Sequence, residues 1–217
     1  MANWVDQDLH VVGRKTAVDR FIRTGFTRQC RGEWADWLHL DKLCPRRRGE
    51  KRDPHEPATA GVLGHVRTRT QALFSMQTRN MYPAAFYQRL ATKWPDLSFV
   101  TSVSEDMNNF GGIVMVLDGK VTDLVREYDP GYNRRSHARE IRPIVKRWGE
   151  FLTAERPWSV IPKTAIEPGS LPFDAHFDDN FWFFFRTRED APAFRARYGA
   201  VRVMRRVNGK WQSRKGL

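Results

Sequence analysis

The sequence predicts an α+β protein built on one antiparallel sheet with helices laid on one face. Three observations carry that prediction. Residues Ala72 to Gly119 switch in turn between strand and helix periods, a strand-and-helix pair opens the chain, and a strand–helix–strand pattern closes it.

The middle stretch is the most regular. Leu73–Thr78 alternates, with Phe74 and Met76 on one side and Ser75 and Gln77 on the other. Tyr82-Pro83 then opens a helix, because a proline at the first turn gives up only an N–H that would be unsatisfied anyway. Phe86, Leu90 and Trp94 form its apolar stripe, and Pro95 ends it. Leu97–Ser104 is a second strand. Glu105 to Asn109 is a polar turn, and Phe110–Leu117 is a third strand, apolar on both faces as a central strand is. Asp118-Gly119 is a hairpin signal, since both residues tolerate positive φ, and Lys120–Tyr128 continues as an edge strand.

At the start, Trp4–Val12 sends Leu9 and Val11 one way and Asp8, His10 and Val12 the other, and Gly13 ends the strand. Lys15–Thr24 is helical through Ala17, Val18, Phe21 and Ile22, with Gly25 as the expected C-cap. Residues 28–69 read as an insertion, mostly loop, with a short helix around Glu33–Leu43. It carries Pro45, Pro54, Pro57 and the run Arg46-Arg47-Arg48. Two readings are open for it: a nucleic-acid contact, in which arginines meet phosphates and rings stack on bases, or a solvated loop with buried tryptophans.

Beyond Gly119, Asn133–Phe151 is a basic helix in which Ile141, Ile144, Val145, Trp148 and Leu152 can pack. Arg134, Arg135, Arg139, Arg142, Lys146 and Arg147 outnumber Glu140 and Glu150 there, and Pro143 is a first-turn or kink residue, which would put the helix start near it or a bend there. Arg156–Pro172, with four prolines, reads as a linker or strap. Phe181–Phe185 is a strand buried on both faces or one lining an aromatic site, Arg188–Tyr198 a helix, and Ala200–Val207 a strand ending at the turn Asn208-Gly209. The chain thus divides into a core, 1–128, interrupted by 28–69, and an extension, 129–217, packed on it.

Charge narrows the function more than any motif does. The net charge is +12, and a globular chain this basic meets an anion: nucleic acid, a membrane surface or an acidic protein. From Phe181 onward ten Lys or Arg stand against only Glu189 and Asp190, so that segment carries +8 of the total. Alternation sends Arg202 and Arg206 to one face of their strand, and with Lys210 and Lys215 they form a cationic stripe interrupted by Trp211. With Arg46, Arg47, Arg48, Arg134, Arg135 and Arg139 these residues make up the expected nucleic-acid contact. Apolar runs are too short to span a bilayer, so no membrane partner is expected. Two cysteines, Cys30 and Cys44, and no secretory pattern at Met1-Ala2-Asn3-Trp4 imply a reduced, cytoplasmic setting.

Asn3-Trp4, a strand ending in Gly13, a helix around Phe21, Phe74 and Thr78 in a strand, a helix after Pro83, Trp94-Pro95, and the Phe110–Gly112 return together resemble the YubB ferredoxin-like domain family. The resemblance runs from Met1 to Gly119, interrupted by the insertion. Val5 stands where such proteins often have Cys, and Asn80-Met81-Tyr82-Pro83 replaces a Trp-Xaa-Pro-Pro segment. The resemblance implies a ferredoxin-like sheet, here with a C-terminal strand–helix–strand extension, and a phage or plasmid setting. It implies no reaction.

Chemical motifs are sparse. Asp174, His176 and Asp178 share a face if extended, a spacing that could hold a divalent metal, but lack a ligand from a second element, and Cys30, His39, Cys44 and His55 lie in one insertion without the paired Cys-x-x-Cys knuckles of a zinc site, so no metal and no cofactor are expected. Phosphate-cradling, dinucleotide and nucleophile-elbow motifs do not occur. His137, beside Arg134, Arg135 and Arg139, is the best candidate for a catalytic base, of a metal-independent ribonuclease, and a solvated helix face accounts for it equally well. The reading that results is a non-enzymatic accessory protein that binds DNA or RNA. A protein that docks on an acidic protein partner is the alternative.

Overall fold

The computed structural model describes residues 3–28, 36–46, 49–50, 56–67, 69–79, 81–105, 110–127, 134–154, 158–162, 183–185, 201–207 and 210–214. In chain order they form β1 (Trp4–Gly13), α1 (Lys15–Gly25), β2 (Phe26–Arg28), β3 (Asp36–His39), α2 (Leu40–Leu43), β4 (Thr59–Arg67), β5 (Gln71–Arg79), α3 (Ala84–Lys93), β6 (Leu97–Glu105), β7 (Phe110–Leu117), β8 (Lys120–Asp123), β9 (Arg126–Glu127), α4 (Arg134–Ala154), β10 (Trp158–Pro162), β11 (Phe183–Phe185), β12 (Val201–Val207) and β13 (Lys210–Arg214).

The protein is α+β, with a nine-stranded antiparallel sheet in the order β2-β3-β4-β5-β1-β6-β7-β8 and β9 also on the outer edge of β7. β1 lies in the interior because both its faces are apolar enough to be covered: Leu9 and Val11 on one side and Val12 on the other are fully buried. It pairs antiparallel with β5 and with β6, so β5 and β6 run parallel to each other with β1 between them, joined through α3. By the same logic β4 runs parallel to β1 across β5, and α1 lies on that connection.

α1 and α3 cover the first face. Phe21 of α1 is wholly buried among Phe74, Trp94 and Phe99, with ring centroids 5.2 to 6.4 Å away. The Trp94 indole N–H donates to the Leu43 carbonyl at 2.9 Å, which fastens α2 beneath the end of α3. Gly25 is the last residue of α1 rather than a left-handed cap beyond it. It is glycine for space, because a Cβ there would overlap the Leu43 side chain. At the β7–β8 hairpin Asp118 and Gly119 do take positive φ, 53° and 71°, the backbone of a type I′ turn.

α4 covers the second face. Ile144, Trp148 and Leu152 pack on Val12, Val100, Ile113, Met115 and Leu117. Helices therefore lie on both faces, not one, and the reason was already present in β7. Val114 and Val116 belong to the first core and Ile113, Met115 and Leu117 to the second, so a single helical layer would leave half of β7 wet.

Other expectations change as well. Within residues 28–69, β3 and β4 extend the sheet by two strands, and β3 takes up part of the stretch expected to be helical, leaving α2 only Leu40–Leu43. Gly61, Gly64 and a register shift at Leu63 break the alternation of β4 and hide it from period-counting. Pro143 stands well inside α4 rather than at its start, on an exposed position where solvent reaches the backbone carbonyl its ring leaves without a donor. Part of the expected strap is strand β10, the centre of a separate sheet in the order β11-β10-β12-β13. β11, which carries Phe183–Phe185, is an edge strand of this sheet among the described residues. The helix expected at Arg188–Tyr198 lies outside the described residues. No helix among the described residues is long and apolar enough to cross a membrane.

Candidate nucleic-acid interface

The packing of α4 fixes which of its side chains meet water. Ile144, Trp148 and Leu152 recur every four residues and are buried. The opposite side of the helix is then set by its 3.6-residue turn. Arg139, Arg142 and Lys146 fall there at i, i+3 and i+7, all exposed, and position 135 extends the same line one turn back. From 135 to 146 the line is roughly 16 Å long at 1.5 Å per residue. Arg147 is exposed on the flank. Lys146 lies 3.9 Å from the Glu150 carboxylate, both well exposed, a contact worth little. Arg139, Arg142 and Arg147 have no ion-pair partner among the described residues. Such a line of exposed cations, on a helix anchored by its other face, has the charge to meet an anion.

Of the expected contact residues, Arg139 sits on this line. Arg134 and Arg135 are in the first turn of α4, and their side chains lie outside the described set, as does that of the candidate base His137. Arg142, Lys146 and Arg147, at first only part of the helix charge, complete the surface. Their spacing from Arg139 was the signal.

Arg46 is placed elsewhere. Its guanidinium donates to the Glu56 carboxylate at 2.8 Å and lies 3.7 Å from Asp41, with only 14% of the side chain exposed. Glu56 also accepts from Arg89 of α3 at 2.7 Å. Arg46 therefore clamps the loop after α2 to α3 and is turned away from solvent. Arg47 and Arg48 lie outside the described residues.

The C-terminal hairpin divides the expected stripe. Arg206 stands opposite Trp211 in the register, and Arg202 shares that face four positions earlier. Lys210 stands opposite Val207, on the other face with positions 205 and 214. Lys215 lies outside the described residues.

The remaining candidates do not assemble. Cys44 is buried, and burial pushes its thiol up to about 12, which makes it unreactive. His39 is held below its ordinary value by burial and then by Lys42. Cys30, His55, Asp174, His176 and Asp178 lie outside the described residues. Among the described residues no three His, Cys, Asp or Glu side chains are arranged to hold a metal ion. A polar chain does run through the first core: the Tyr87 hydroxyl donates to Gln7 at 2.6 Å and the Gln7 amide donates to Thr78 at 2.7 Å. Burial raises the Tyr87 phenol, and burial and then the hydrogen bond to Asp123 raise that of Tyr82, so neither is poised to lose a proton. These hydrogen bonds satisfy polar groups that burial has taken out of water. No family model, curated protein or solved structure matches the chain.

Proposed function

We propose that the chain is a non-enzymatic accessory protein that binds DNA or RNA through charge, with little sequence preference, on a ferredoxin-like core. The exposed cation line of α4 carries this reading. Arg139, Arg142 and the flanking Arg147 have no ion-pair partner among the described residues in a chain of net charge +12. Counterion release from phosphates is the favourable term such a surface offers, and it reads no bases. The order β4-β5-β1-β6, with α1 and α3 in one layer, supports the ferredoxin-like part of the proposal. The phage or plasmid setting rests on the resemblance to the YubB family alone.

The test is direct titration. Nuclease-treated, untagged protein is added to labelled oligonucleotides of mixed sequence, and anisotropy is read from 50 to 300 mM salt. Binding that weakens steeply with salt and barely varies with sequence is the expected result. Absence of binding near 100 mM salt, where charge attraction still acts over roughly 10 Å, contradicts the proposal. An acidic protein partner then becomes the reading that fits the same cations.

A further inference from the structure

The face of the large sheet that carries α4 is only partly covered by it. Register lays this face out in rows across β5, β1 and β6. Near α4 the rows are closed: Val12, Leu73, His10 and Val100 are all buried, and the His10 ring meets the Trp148 ring edge-on at 5.5 Å. At the far end two rows are open. Gln77, Asp6 and Ser104 stand side by side, and beyond them Arg79 stands directly opposite Trp4. Asp6, Ser104 and Arg79 are exposed, and Trp4 keeps 40% of its surface in water.

We infer that this open end is a base-accepting platform for single-stranded nucleic acid, an inference that rests on the nucleic-acid reading above. Solvated sheet faces are ordinarily polar, but an exposed indole paired across strands with an exposed guanidinium is a different provision. The exposed part of the indole offers a surface on which a base can stack, and Arg79 offers a cation for the adjoining phosphate. The Gln77 amide donates to one Asp6 oxygen at 2.6 Å, which fixes a row of oriented donors and acceptors beside the ring. Unpaired bases present their edges and faces to such a floor, whereas a duplex presents phosphates. The Asp6 carboxylate repels phosphates. It therefore steers the backbone toward Arg79 and disfavours duplex on this face. The α4 line, by contrast, makes no such distinction.

The experiment compares a 12-nucleotide single strand with its duplex, using the full chain and its Trp4→Ala, Trp4→Phe and Arg79→Ala variants at about 150 mM salt. The parent is expected to bind the single strand more tightly. Trp4→Ala should weaken single-strand binding about 10-fold, within the span measured for losing one stacked base, and leave duplex binding within about twofold. Trp4→Phe, which keeps a ring, should retain most of the affinity whatever Trp4→Ala does to folding. Arg79→Ala should lower the single-strand salt slope by about 0.7. Equal affinity for strand and duplex in the parent overturns the inference but leaves the electrostatic reading standing. So does a Trp4→Ala variant that binds the single strand like the parent, or loses strand and duplex alike. A parent that binds neither form overturns both.

Discussion

Replacing Arg46 by Ala should weaken the fold and leave nucleic-acid affinity alone, the reverse of what its place in an arginine run predicts. Glu56, with 8% of its side chain exposed, accepts hydrogen bonds at 2.8 Å from Arg46 and 2.7 Å from Arg89, whose side chains are 14% and 19% exposed. Breaking a pair buried to this degree strands a carboxylate that has left water. The loss should be about 3 kcal/mol, the low end for such pairs, because Arg89 still holds Glu56. For a chain of this size that lowers the melting temperature by about 6–12 °C. Glu56→Ala strands two guanidiniums at once and should cost more, about 4–5 kcal/mol. Urea denaturation followed by circular dichroism gives the stabilities, and the salt dependence of oligonucleotide anisotropy gives the phosphate count. An Arg46→Ala variant within about 0.5 kcal/mol of the parent, the range of a plain surface change, would refute the clamp. So would a salt slope lowered by a full phosphate.

Two further outcomes follow from the cores. Trp148, 2% exposed, joins α4 to the second face through His10 and the apolar side chains of that core, so Trp148→Ala should cost about 3–5 kcal/mol in urea denaturation. Cys44 keeps its proton in the folded state up to about 12, against an unfolded value of 9.0, so the native state binds more protons above pH 9 and stability must fall as pH rises through that window. Denaturation midpoints at pH 8 and pH 10 should show the drop, and Cys44→Ala should flatten its onset, before the half-buried Tyr82 and buried Tyr87 phenols add the same trend from pH 10.

Much of the first sheet was legible because its strands are half-buried and alternate. β1, β5, β6 and β7 fall within two residues of their expected ends, as does α3, and the Asp118-Gly119 turn is where its residues demand. What stayed hidden has local causes. β4 carries Gly61, Gly64 and a bulge, so its period is broken. β3 is four residues long and gains its stability from β2 and β4 rather than from its own pattern. The second helical layer is implied by the two apolar faces of β7, but that pattern by itself marks only a central strand. At the candidate site, charge density pointed correctly to α4 as a cationic helix. It could not tell Arg139, which faces water, from Arg46, which a distant Glu56 takes up, because that pairing is tertiary. Trp4 and Arg79 are seventy-five positions apart and meet only through the β1–β5 register.

The measurement that bears most directly on the central claim is the salt slope of single-strand binding for the parent and for a variant with Arg139, Arg142, Lys146 and Arg147 all changed to Ala. These side chains are exposed and anchor nothing among the described residues beyond the weak Lys146–Glu150 contact, so the fold should survive. At about 0.7 per phosphate lost, the slope should flatten by about three units, with affinity falling uniformly across sequences. A variant that folds and binds with the parent's slope would contradict the placement of the interface on α4.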